Sequence, residues 1–101
     1  MDTKTLLVET KARFNHNSAK AQLKDKYDSK LIIADQGGLW KATPELIGYL
    51  ASSKDEYVIL IDTFENPVHV NRIALYDVLN KTYTDAMNLW YEEWKELEQK
   101  R

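Results

Sequence analysis

Apolar positions along the chain change period several times, and each change predicts an element. Leu7, Phe14 and Ala21 recur at seven-residue spacing, and Leu23 and Tyr27 stand four apart, which predicts helix over residues 2–14 and 18–28. Between them Asn15-His16-Asn17-Ser18 are poor helix-interior residues and Ser18 is a good N-cap, so the segment is either two helices or one helix with a weak centre. Leu31-Ile32-Ile33-Ala34 and Leu39-Trp40-Lys41-Ala42 then flank Asp35-Gln36-Gly37-Gly38, a β-rich pair around a glycine turn that predicts a hairpin. Thr43-Pro44-Glu45 opens a short helix, with Thr43 as N-cap, Pro44 at the first position and Glu45 on the positive end of the dipole. Leu46, Ile47, Tyr49 and Leu50 give that helix an apolar face through about residue 52.

Tyr57-Val58-Ile59-Leu60-Ile61 is apolar at every position, the pattern of a central strand covered on both faces, so Val58, Ile59, Leu60 and Ile61 are all expected to be buried. Phe64-Glu65-Asn66-Pro67 turns the chain into a short partner strand at Val68-His69-Val70. Asn71 caps a last helix running from Arg72 to about Gln99 with no Pro or Gly inside it. The expected fold is a single α+β domain over residues 1–101. Its two hairpins form one antiparallel four-stranded sheet, with the N-terminal and long C-terminal helices packed on one face and the short helix between the hairpins.

Composition supports one folded core: 44% of the 101 residues are hydrophobic, and three Trp, six Tyr and two Phe supply large side chains to fill it. A net charge of −2 gives no global attraction to phosphate backbones or anionic lipid. Seven Lys/Arg against four Asp/Glu in residues 1–30 allow at most a modest basic face there. The absence of cysteine excludes disulfides, thiolate metal sites and a cysteine nucleophile, and fits a reducing cytoplasm. No signal-peptide core and no run long enough to cross a bilayer is present, so a cytoplasmic protein is expected.

Chemistry has little to work with. Gly37-Gly38 lacks the spacing of a dinucleotide fingerprint or a P-loop and reads as a tight turn. His16 and His69 have no metal-ligand spacing around them. One enzyme-like constellation can be built: Asp35 and Asp62 close the first and third strands and could meet at one sheet edge with His69 near them, as a small metal-dependent hydrolase would require. Against it, strand-ending Asp side chains usually bond their own turn backbone. Lys4, Lys11, Arg13, Lys20, Lys24 and Lys26 would give weak nucleic-acid binding if the helices aligned them, but Glu9, Asp25 and Asp28 dilute the patch. No cofactor and no metal are expected.

The strongest signal lies in the last helix. Tyr76, Tyr83, Trp90 and Leu97 recur every seven residues, and Ile73, Met87 and Trp94 share a second heptad position with the polar Asn80. A helix of about 28 residues is ~42 Å long, so it outreaches a compact domain of this size. Its last two turns carry Trp90, Tyr91, Trp94 and Leu97, residue types enriched where proteins bind. Two destinations are open for this stripe: the N-terminal helix folds back and buries it, or a second copy or another protein covers it.

The stretches Leu31-Ile32-Ile33-Ala34-Asp35-Gln36-Gly37-Gly38-Leu39-Trp40 and Asp62-Thr63-Phe64-Glu65-Asn66-Pro67-Val68-His69-Val70-Asn71-Arg72 resemble small uncharacterised proteins of contractile-tailed bacteriophages, notably those infecting marine cyanobacteria. The resemblance carries no catalytic motif. It implies expression in an infected host's cytoplasm and a role in virion assembly or in redirecting a host protein. The expected function is therefore a non-enzymatic interaction or assembly protein that self-associates as a homodimer, or binds a protein partner, through Trp90, Tyr91, Trp94 and Leu97.

Overall fold

The computed structural model describes residues 3–100, with side chains from Asn15 onward. The elements run α1 (Thr3–Lys30), β1 (Ile32–Asp35), β2 (Gly38–Lys41), α2 (Pro44–Ser52), β3 (Tyr57–Ile61), β4 (Pro67–Asn71) and α3 (Arg72–Gln99). Asn15–Ser18 does not break α1, which is one continuous helix. Packing against α3 overrides the weak local propensity there: His16 Nε2 lies 3.3 Å from Glu98 Oε1. The side chains of Lys4, Leu7, Glu9, Lys11, Arg13 and Phe14 lie outside the described residues.

α1 and α3 pair antiparallel. Tyr27 stacks on Trp90 with ring centroids 6.2 Å apart, Lys26 Nζ holds Glu93 Oε1 at 2.8 Å, and His16 reaches Glu98, so rising numbers on α1 meet falling numbers on α3, and the second half of α1 lies against the second half of α3 with the helix ends offset. That offset draws the molecule out to 66 × 24 × 18 Å. α2 and both hairpins gather at one end around the first half of α3. A single core joins them: Tyr27 and Leu31 from the end of α1, Trp40 and Ala42, Leu50 of α2, Val58 and Val70 of the second hairpin, and Leu75, Leu79 and Ala86 of α3. This core selects a different α3 face from the heptad reading. Leu75 and Leu79 are fully buried, Tyr76, Tyr83 and Trp90 lie half-buried beside them, and Ile73, Asn80 and Trp94 face outward.

Thr43 Oγ1 accepts from the Leu46 N–H at 3.2 Å and Pro44 begins α2, as the capping pattern predicts. The far end of α2 is closed by Arg72, whose guanidinium donates to the Leu50 and Asp55 carbonyls at 2.6 Å each. Asn71 Oδ1 caps α3 by accepting from Ala74 N–H.

The expected four-stranded sheet is instead two separate two-stranded antiparallel sheets, β1–β2 and β3–β4. The junction between them is built from side chains where a continuous ladder would use backbone. The Leu39 N–H donates to Asp62 Oδ2 at 3.1 Å, and the Asn71 N–H and C=O are both taken by the Gln36 amide, at 2.7 and 3.2 Å. One backbone bond, Thr63 N–H to Leu39 O at 2.9 Å, crosses between the hairpins. With donors and acceptors spent this way, no strand of one hairpin enters the ladder of the other.

The expectation that β3 is covered on both faces is also corrected. Val58 is buried and Leu60 partly so, but Ile59 and Ile61 are 67% and 64% exposed, and Tyr57 lies beside them on the open face. Only one side of β3–β4 packs on the core, through Val58 and Val70, and no described element lies on the other. The unbroken apolar run therefore reports one core face and one bare face. Truncation of Ile59 to alanine removes no core packing.

Two turns place non-glycine residues in the left-handed region. Gln36 (φ 50°) and Gly37 (φ 80°) form the β1–β2 turn with both central φ values positive, as in a type I′ hairpin. Gln36 offsets its strain through the bonds to Asn71. Glu65 (φ 64°) in the β3–β4 loop has no side-chain bond among those observed around it. Glu65→Gly is expected to stabilise the fold by about 0.5–1 kcal/mol in urea denaturation, since left-handed backbone costs a residue with a Cβ about 1 kcal/mol or more and glycine nothing. A destabilised variant would show that Glu65 makes contacts in solution that outweigh its backbone strain.

Candidate interaction site

Asp35 and Asp62 do line one open groove at the hairpin junction, together with Gln36, Gly37, Phe64 and Asn66. Yet Asp62 is committed. Its Oδ1 accepts from the Asn66 and Phe64 N–H groups at 3.0 Å each, and its Oδ2 accepts from Leu39. These amides, Asn66 foremost, hold the Asp62 carboxyl below the usual carboxylate range against the opposing effect of burial. Asp35 contributes its backbone carbonyl, which accepts from Trp40 Nε1 at 2.9 Å. His69 is absent from the groove and stacks on Tyr57, with centroids 5.0 Å apart, on the bare face of β3–β4. The three groups do not converge, and among the described residues no cluster of three or more His, Asp or Glu side chains is placed to hold a metal ion. The role of Gly38 is local: a Cβ there would lie 2.5 Å from the Trp40 ring, so the glycine admits this chain's own indole.

On the basic segment, Lys20 and Lys24 are exposed, whereas Lys26 is drawn into the helix pair by Glu93. That contact raises the Lys26 ammonium above its ordinary value and lowers the Glu93 carboxyl, each through the hydrogen bond between them. Among the described residues no helix is long and apolar enough to cross a membrane.

The four aromatic-helix candidates divide into two pairs. Trp90 is half-buried on Tyr27, and Leu97 is half-buried at the seam with α1, beside Ala19 and Leu23. Tyr91 and Trp94 are 57% and 38% exposed, and their rings stack with centroids 6.0 Å apart. With Met87 and Trp90 they line an open apolar notch of about 280 Å³. Lys95 lies over the Tyr91 ring at 5.1 Å and within 3.4 Å of Glu92, so the rim carries both signs of charge.

A second apolar surface escaped the pattern reading. Tyr57, Ile59 and Ile61 on β3, with Phe64 in the loop that follows, are all half or more exposed at the hairpin end of the molecule. An alternation of charge or polarity would have marked the bare face, but β3 has none. Comparison of the chain with protein-family models, with curated proteins and with solved structures finds no match.

Proposed function

We propose that this is a non-enzymatic interaction and assembly protein that self-associates through the distal face of α3. The observation that carries the proposal is the notch at Met87, Trp90, Tyr91 and Trp94, where two stacked aromatic rings stand exposed beside an apolar depression. Those residues fall at i, i+3, i+4 and i+7, the seam one helix offers another. A second copy of α3 is the fitting occupant: crossing antiparallel about a two-fold axis, each Trp94 enters the other's notch, and a rim bearing both Glu92 and Lys95 meets its own copy with opposite charges available to pair. Tyr91 and Trp94 are the contact residues in this reading. Trp90 forms the floor and Leu97 belongs to the seam with α1. A cytoplasmic setting and a part in virion assembly, as the phage resemblance implies, belong to the same proposal.

The test is sedimentation equilibrium at roughly 100 µM, a concentration that populates complexes of micromolar affinity. Tyr91→Ala/Trp94→Ala is expected to weaken association at least ten-fold and to keep the near-UV circular dichroism of a packed core, since neither ring enters that core. A double variant with the same mass distribution as the wild type would end this reading.

A further inference from the structure

Beside β3 the hydrogen-bond phase of the second hairpin can be read from its two ends. Asp62 N–H donates to Asn66 O at 3.0 Å, and Arg72 N–H donates to Glu56 O at 2.9 Å. Both pairs belong to the register that sets Val58 opposite Val70 and Leu60 opposite Val68. Bonded and non-bonded pairs alternate in an antiparallel ladder. Even-numbered residues of β3 therefore spend their N–H and C=O groups on β4, and Tyr57, Ile59 and Ile61 point theirs away from it. The outward positions of β4 are Pro67, His69 and Asn71. Pro67 has no N–H to offer, and both backbone groups of Asn71 are held by Gln36, so that edge is obstructed at both ends. The β3 edge has no such guard: Tyr57-Val58-Ile59-Leu60-Ile61 carries no charge, proline or bulge.

We infer that the open edge of β3 pairs with β3 of a second copy, antiparallel about a two-fold axis at Ile59. This interface is separate from the α3 notch and does not depend on it. In that register Ile59 faces Ile59 of the second copy, and Tyr57 faces Ile61, so every outward N–H and C=O of the strand finds a partner in about six new backbone bonds. The exposed side chains of the same residues then lie against one another across the new strand pair, aromatic beside β-branched. Glu56 and Asp62 of opposite copies fall across from each other at both ends. Asp62 already spreads its charge over the Leu39, Phe64 and Asn66 amides, which offsets that approach. Because the β3–β4 hairpin of each copy has one open and one obstructed edge, strand addition stops at two copies and does not propagate.

Two substitutions at one position separate edge pairing from simple stickiness. Ile59→Pro deletes an outward N–H while leaving the bonds to β4 intact. Ile59→Thr keeps that N–H and trims only the apolar face. Edge pairing predicts at least ten-fold weaker association at this interface for the proline variant and a change of less than about three-fold for the threonine variant; face-to-face packing of the two sheets predicts the reverse order and would overturn the inference. Amide hydrogen exchange gives an independent readout that does not need a folded proline variant. In the wild type the Tyr57, Ile59 and Ile61 amides are expected to gain protection as concentration rises, while those of Val58 and Leu60 are protected throughout. Fast exchange at Ile59 and Ile61 in the fully associated sample would refute edge pairing. Combining Ile59→Pro with Tyr91→Ala/Trp94→Ala is expected to give a monomer, whereas each alone leaves a dimer held by the other surface. An Ile59→Pro protein that sediments like the wild type sinks the β3 interface alone, and a Tyr91→Ala/Trp94→Ala protein that does so sinks only the α3 reading.

Discussion

Trp40→Ala is expected to lower the unfolding free energy by about 3–5 kcal/mol, the range for emptying a large aromatic site in a packed core. For a domain of this size that is a large share of the total stability. The indole is 1% exposed and is among the largest side chains of the core that joins the helices and both hairpins. Its Nε1–H also closes the first hairpin by donating to the Asp35 carbonyl at 2.9 Å. Trp40→Phe retains much of the bulk and loses this bond, so its cost is smaller, about 1–2 kcal/mol. Gly38 is the other half of the arrangement. Gly38→Ala drives a Cβ to 2.5 Å from the ring and is expected to cost about 1–3 kcal/mol in the wild type, but much less once Trp40 is alanine. Urea denaturation of the two single variants and the double variant measures that coupling. A Trp40→Ala loss under about 1 kcal/mol, or additive effects of the two changes, would mean that the indole is not the keystone of the first hairpin.

Local rules carried the element boundaries well. The Thr43 and Asn71 side chains each accept from an N–H three residues on, and Pro44 fits the first helical position, so three or four residues suffice to place α2 and the start of α3. Sheet assembly is a different kind of question, because Gln36 and Asn71 are thirty-five positions apart and nothing in either neighbourhood announces that a glutamine amide will cover a strand edge. The bare face of β3 was hidden for a related reason. An apolar run is the same string whether an element covers its second side or not, and that is settled by where the helices pack rather than by the strand itself. In α3 the aromatic stripe was legible, but its division was not: Trp90 turns to Tyr27 while Tyr91 and Trp94 turn out, a difference of one helical position that only the partner helix sets. Asp62 was legible as a turn-bonding carboxylate, although its reach to the other hairpin through Leu39 was not.

Asp62→Ala is the second substitution with a large expected effect, because one carboxylate serves three backbone donors on two hairpins. Removing it leaves the Leu39, Phe64 and Asn66 N–H groups without the acceptor that is itself only 7% exposed, and a part-buried donor left without a partner costs more than a hydrogen bond normally contributes. The melting temperature is expected to fall by on the order of 10 °C or more for a domain this small. Asp62→Asn separates shape from charge. Its carbonyl can serve Phe64 and Asn66, but its NH2 then faces the Leu39 N–H, donor against donor, so the junction between the hairpins loosens while the loop persists. The two forms also respond differently to acid. The Asn66, Phe64 and Leu39 amides depress the folded carboxyl below its unfolded value, so its contribution is fully present above the unfolded value near pH ~4 and is lost as pH falls through the lower, folded one. Asparagine has no such titration. The stability gap between wild type and Asp62→Asn should therefore be constant from neutral pH down to about pH 5 and narrow below about pH 4, read from urea midpoints in a pH series. A gap that widens in acid, or an Asp62→Ala protein that melts with the wild type, would show that the carboxylate does not join the two hairpins.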